Sequence, residues 1–247
     1  MATHGVEFAD VSFTVGGRSI LRSVSLRVER GTTTALLGRS GSGKTTLLRT
    51  VNALVRPTGG RVLVEDRDVE MEDPIALRRG IGYAIQETGL FPRMTVERNV
   101  GMALELAGKS RDEIRARAVE MLRIVGLPED AAERFPWQLS GGQRQRVGVA
   151  RALANEPKVM LMDEPFGALD PLTRAEMQTM LRELLQRTGV TTLIVTHSLD
   201  EALYLADRVV LLEDGAVVAD LAKSEVLESP NEAMRKYVAA MHREVPA

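Results

Sequence analysis

The sequence predicts an α/β protein: a parallel sheet with an antiparallel β portion ahead of it and a helical block set into it. Three observations lead there. Apolar strand runs occur on both sides of a long helical stretch, at 32–38 (TTTALLG) and 158–162 (KVMLM). Each run passes through a turn into a helix, the strand–helix–strand order of parallel sheets. The run at 158–162 is apolar throughout, which suits a strand covered on both faces rather than one.

In chain order, 6–15 (VEFADVSFTV) and 23–29 (SVSLRVE) read as half-buried strands joined by a turn at Gly16-Gly17. RVLVED at 61–66 and IGYAIQ at 81–86 are further strands. From about Thr95 to Ala154 the pattern is helical, broken at Gly108, at Gly126-Leu127-Pro128 and at Phe135-Pro136. Beyond it, a helix over 172–187 carries Met177, Met180, Leu181 and Leu184 on one stripe, followed by the strand TTLIVT at 191–196, a short helix, and the strands VVLLED and AVVADL.

Composition narrows the function. The 247 residues hold 32 Lys+Arg against 34 Asp+Glu, with one Trp, three Tyr and five Phe. No basic block or aromatic series marks a nucleic-acid surface, so nucleic acid is not an expected partner. Cysteine is absent, which fits a reducing compartment. MATHGVEFADVSF lacks the charged and apolar regions of a signal peptide. The longest aliphatic runs are too short to span a bilayer. The reading is therefore a cytoplasmic chain that reaches a membrane only by docking onto other subunits.

GRSGSGKT at 38–45 lies between a strand and a helix, the context of a phosphate-binding P-loop. Gly38, Gly41 and Gly43 let backbone N–H groups turn inward around phosphate oxygens. Arg39, Ser40, Ser42 and Thr46 complete the loop. Lys44 is placed for the β- and γ-phosphates, and Thr45 offers a hydroxyl to Mg²⁺. VMLMDEP at 159–165 puts Asp163 and Glu164 at the end of the second apolar strand. At the carboxyl edge of a parallel sheet these carboxylates suit Mg²⁺ binding and polarisation of an attacking water, respectively. Alone they would read as a solvated turn; the P-loop reverses that balance.

LSGGQ at 139–143, the P-loop, MLMDEP, FGALD at 166–170, Gln86 after a strand, and a strand ending at His197 follow one another in an order that resembles the nucleotide-binding domain of ABC transporters. The resemblance runs from about Val6 to Leu221. It implies a P-loop NTPase fold: a RecA-like and β core at 1–86 and 155–222, a helical signature subdomain at 87–154, and a short helical tail at 223–247. It also implies binding and hydrolysis of ATP with Mg²⁺ held by Thr45, Gln86 and Asp163. Two copies would pair head to tail, with Ser140, Gly141, Gly142 and Gln143 of one capping the nucleotide on the other's P-loop. Glu164 would be the catalytic base, His197 would position its water, Gln86 would sense the site, and Asp170 would bridge the protomers. Without the family, Asp170 reads as the N-cap of a helix opening at Pro171, and the two roles are compatible.

The family's adenine-stacking aromatic is replaced at its usual place by Val15, with Phe13 two residues earlier. Either Phe13 substitutes, or the base has only apolar contact and Phe13 is core. Arg39 stands where many relatives have Pro, and Ser198 follows His197 where Asp is frequent.

GRSGSGKTTLLRTVNALVRPTGGRV, DPIALRRGIGYAIQETGLFPRMTVERNV and LMDEPFGALDPLTR are similar to ATPases of bacterial importers for quaternary-amine osmoprotectants such as glycine betaine, carnitine and choline. That resemblance implies integral membrane permease subunits, a solute-binding protein, and a peripheral place at the inner face of the membrane. Gly89-Leu90-Phe91-Pro92 is a candidate docking stretch for a membrane subunit, with plain packing under a loop the competing reading. The tail is read as one amphipathic helix, too short for the paired regulatory domains many such ATPases carry. The alternatives are an ATPase serving lipid or another small solute, or a soluble ABC ATPase outside transport. The missing heptad segment and the single nucleotide domain argue against the latter.

Overall fold

The computed structural model describes residues 4–85, 88–167 and 169–241. Its elements are, in order, β1 (His4–Val15), β2 (Arg18–Glu29), β3 (Thr33–Leu37), α1 (Lys44–Val51), β4 (Gly59–Val64), β5 (Arg67–Asp68), α2 (Pro74–Arg79), β6 (Ile81–Ile85), α3 (Val96–Leu106), α4 (Arg111–Ile124), α5 (Gly141–Leu153), β7 (Val159–Asp163), α6 (Pro171–Thr188), β8 (Thr191–Thr196), α7 (Leu199–Leu205), β9 (Arg208–Glu213), β10 (Ala216–Ala222) and α8 (Glu232–Met241). By internal contacts the chain divides into two compact units, Met1–Glu72 with Leu193–Ala247, and Asp73–Thr192.

In the first unit, β1 pairs antiparallel with both β2 and β4. The hairpin turns through Gly16 and Gly17, both at positive φ (57° and 76°), the two-residue turn that matches strand twist. Alternation along β2 buries Leu21, Val24, Leu26 and Val28 and exposes the residues between most of them. β3 is buried along its whole length and runs parallel to β9, with β10 antiparallel on the far side of β9.

The tail is part of this unit's core. Met234 of α8 is fully buried in a cluster with Ala35, Leu37, Leu211 and Val226, against which Tyr237 and Val238 also pack. Truncating a buried Met to Ala leaves a cavity that costs about 2–5 kcal/mol. Met234→Ala is therefore expected to lower the melting temperature by several degrees; an unchanged thermal melt would mean that α8 is not seated there in solution.

In the second unit, β6 and β7 pair in parallel, and α3, α4 and α5 pack on one another. The helices start where caps dictate. Thr95 caps α3 and Ser110 caps α4 in a reciprocal capping box with Glu113. Hydrogen bonds from the backbone and hydroxyl of Ser110 hold the Glu113 carboxyl down at about 2. Met177, Leu181 and Leu184 of α6 are buried as the stripe predicts, and Met180 is half-buried. The short β5 and α2 were not anticipated; Asp73 caps α2 and Pro74 opens it, a start signal hidden by the element's single turn or so.

Candidate nucleotide-binding site

The P-loop leaves buried β3 at Gly38 and enters α1 at Lys44. Gly41 (φ 81°) and Gly43 (φ 99°) adopt backbone conformations that L side chains avoid. Gly38, at φ 153°, is required for a further reason: a Cβ there would lie 2.3 Å from the Leu212 carbonyl oxygen on β9. Lys44 is only 5% exposed, and its ammonium donates to the carbonyls of Gly38 (2.8 Å) and Arg39 (2.9 Å). Gly43 caps α1 without a side-chain bond, so the first-turn N–H groups gain no side-chain acceptor from the cap position. Ser42 Oγ is buried with no hydrogen-bond partner. An orphaned hydroxyl, a buried ammonium and an uncapped helix start form a cradle whose chemistry fits polyphosphate oxygens.

Elsewhere in this unit, His197 is exposed just beyond β8, and Ser198 caps α7 by accepting from the Glu201 N–H. Thr196, buried, donates to Glu201 Oε2 at 2.7 Å. Arg39 and His197 line one cavity of about 640 Å³ together with Lys236 and Tyr237 of α8; burial raises the Tyr237 phenol above its ordinary pKa. On β1, the ladder is irregular between Phe13 and Thr14. Phe13 is half-buried, whereas Val15 is 56% exposed.

In the second unit, Asp163 closes β7 at 8% exposure, and the Tyr83 hydroxyl donates to its Oδ2 at 3.4 Å. Glu164 follows at φ 47°, a left-handed conformation unusual for a long side chain. Ser140 caps α5: its hydroxyl accepts from the Gln143 N–H (3.2 Å), while Gln143 Oε1 accepts from the Ser140 N–H (3.0 Å). Gly142 is buried, and a Cβ there would lie 2.4 Å from Thr173 Cγ2 on α6, so packing of α5 on α6 demands the glycine. Gly141 is exposed with room around it. Asp170 caps α6, accepting from the Thr173 N–H at 3.0 Å, and hydrogen bonding by Thr173 lowers its carboxyl pKa. Gln86 lies outside the described residues.

Two residues escaped the sequence reading. Asn99 is fully buried on α3 and ties down the preceding loop: its Nδ2 donates to the carbonyls of Phe91, Met94 and Thr95, and its Oδ1 accepts from the Phe91 N–H. Arg151 donates to the carbonyls of Thr88 and Gly89, and burial lowers its pKa. The signal was present for Asn99, an amide on the apolar stripe of Val96, Val100 and Leu104. Within this loop Leu90 is half-buried and Phe91 is 46% exposed.

Among the described residues no group of three or more His, Cys, Asp or Glu could hold a metal. Mg²⁺ shared with substrate phosphates needs only one or two protein carboxylates, so it does not require such a group.

The family profile described as "ABC transporter" matches residues 21–167. The chain belongs to this family. Among relatives, the carnitine transport ATP-binding protein OpuCA of Listeria monocytogenes is 44% identical over 215 residues, 87% of this chain and 54% of that protein. The glycine betaine uptake system ATP-binding protein YehX of Escherichia coli is 42% identical over 94% of this chain and 76% of its own length. The chain thus spans about half the length of the Listeria relative. A solved structure, a dimeric post-hydrolysis state of the ATP-binding cassette MJ0796 bound to ADP and Pi, superposes with a TM-score of 0.79 at 34% identity, over 88% of this chain and 98% of that one. The fold of this ABC-family chain is accordingly that of a P-loop NTPase cassette. No helix among the described residues is long and apolar enough to cross a membrane.

Proposed function

We propose that this chain is the ATP-hydrolysing subunit of an importer for an osmoprotectant quaternary amine of the glycine betaine type. It works as a head-to-tail dimer at the inner face of the membrane, beneath separate permease subunits served by a solute-binding protein. The observation that carries the motor reading is the pairing of two phosphate-suited backbones in one chain. One is the P-loop with its orphaned Ser42 hydroxyl; the other is the exposed helix start at Ser140-Gly141. A single nucleotide needs one cradle, and two-fold symmetry gives the second a nucleotide to cap.

In this reading Lys44 exchanges its bonds to Gly38 and Arg39 for β- and γ-phosphate oxygens. Thr45, Asp163 and Gln86 hold Mg²⁺, which when bound neutralises charge developing on the phosphates. Glu164 takes the proton of the attacking water while His197 orients it. Ser140 and Gly141 close over the partner's nucleotide, with Gly142 and Gln143 setting the shape of that helix start, and Asp170 spans the interface. The helical segment 87–154 carries closure to the permease, by way of Gln86 and the loop that Asn99 and Arg151 fasten. The solute class rests on the carnitine and glycine betaine systems to which the relatives belong.

The test is uptake of labelled glycine betaine after osmotic upshift in a strain deleted for this gene. Complementation by wild type and not by Glu164→Gln is expected. Equal uptake in every strain would remove glycine betaine as the cargo; failure to co-purify with any integral membrane protein would sink the transport reading itself.

A further inference from the structure

Just ahead of Ser140 stands a feature that the reading above does not use. Phe135 and Trp137 stack with ring centroids 4.4 Å apart and planes 12° from parallel, yet Trp137, the chain's only tryptophan, is 65% exposed. Tryptophan is mostly covered in folded proteins, and here one large ring is displayed rather than packed away. The display is rigid. Pro136 and Leu139 are buried on either side. The turn between them is closed by the Gln138 N–H donating to the Phe135 carbonyl (2.9 Å) and by Gln138 Oε1 accepting from the Phe135 N–H (2.8 Å). Phe135 backs the indole from behind.

The nucleotide site lacks such a surface. On β1, Val15 is an exposed aliphatic and Phe13 is half-buried, so the chain's own P-loop unit offers the base no displayed ring from that strand. We infer that Trp137, backed by Phe135, is the stacking platform for the purine base of the nucleotide bound to the partner copy. The inference rests on the head-to-tail dimer proposed above. There Ser140 meets the terminal phosphate of the partner's ATP. The chain back to Trp137 passes extended Leu139 into the 3-10 turn Pro136–Gln138, a path shorter than the ~10 Å extended limit for three residues, and the indole adds its own length to it. Triphosphate and ribose separate the terminal phosphate from the base by a comparable length. A displayed ring three residues before the phosphate-capping serine is therefore within reach of the base. Stacking on a flat π-surface suits every nucleobase, so this platform strengthens binding without narrowing the choice of base.

Because Trp137 is the sole tryptophan, its emission reports on this contact directly. The full-length Glu164→Gln chain is titrated with Mg-ATP while light scattering follows dimer mass and tryptophan emission is read in parallel. Emission is expected to be quenched in step with dimerisation. In the same background Trp137→Ala should need roughly tenfold more ATP to dimerise, the loss of one base–aromatic stack per site, and Trp137→Phe should recover most of that. A dimer that forms with unchanged emission, or a Trp137→Ala midpoint equal to the parent's, overturns the inference and leaves the aromatic pair as a surface for a protein partner. No dimer at any ATP concentration overturns the head-to-tail reading itself, and the inference falls with it.

Discussion

Replacing Glu164 by Gln is expected to cut ATP turnover by about a thousandfold, within the range a positioned general base contributes, while ATP-bound dimers accumulate. The amide keeps the shape of the side chain and its hydrogen-bonding length but cannot take a proton from water. Position matters as much as chemistry here. Glu164 is half-buried, directly after the buried strand end at Asp163, and its backbone is held at φ 47° with its carbonyl accepting from the Gly167 N–H. A left-handed Glu costs of order 1–3 kcal/mol and persists only where the surroundings impose it, a pattern that clusters at functional sites. Gln carries the same backbone strain, so the variant should melt with the parent. Single-turnover hydrolysis and light scattering decide the matter: undiminished hydrolysis would remove Glu164 as the base.

Gly38→Ala is expected to destabilise the protein by about 3 kcal/mol or more, the upper range of overpacking combined with backbone strain. At this chain length that is a fall of roughly 10 °C in melting temperature. The added Cβ would sit 2.3 Å from the Leu212 carbonyl oxygen and 2.8 Å from Ser42 Oγ. Ser42 can rotate away; Leu212 cannot, because β9 is paired with β3 through Leu37↔Leu211 and with β10 through Val217↔Leu212. Gly41→Ala is the control. Its φ is 81° but nothing lies within 4 Å of a Cβ there, so only the left-handed strain of about 1–2 kcal/mol applies. Parallel thermal melts that place the two variants together would show that the β3–β9 edge yields, contrary to the packing argument.

The two glycines mark how far a sequence can be read. As letters, Gly38 and Gly41 belong to one phosphate-binding pattern, and both suggested backbone clearance for an anion. Gly41 is accounted for by its own left-handed backbone, a local requirement. Gly38 is needed because a residue 174 positions later lies against it, and no local pattern encodes that approach. Gly142 repeats the lesson: it looked like part of an anion-capping helix start, and it is also the place where Thr173 of α6 presses on α5. The Gly16-Gly17 hairpin, the buried run of β7, the Asp170 cap and the breaks at Gly108 and Gly126 were legible because each depends on residues adjacent in the chain. Arg151 was not, since the Thr88 and Gly89 carbonyls it fastens belong to a loop far earlier in the chain; Asn99, whose partners lie only a few residues back, left a polar mark on an apolar stripe.

By itself, then, the sequence determined the chemical groups and the elements that carry them: a phosphate loop between strand and helix, paired carboxylates at a buried strand end, and a second glycine helix start. These follow from side-chain periodicity and turn chemistry, which act over a few residues. The tertiary structure alone decided that Lys44 is buried on its own loop's carbonyls, that Ser42 lacks a partner, that the tail's Met234 is core and that Trp137 is displayed. Burial and steric approach are set by residues distant in the chain, and no short-range pattern contains them.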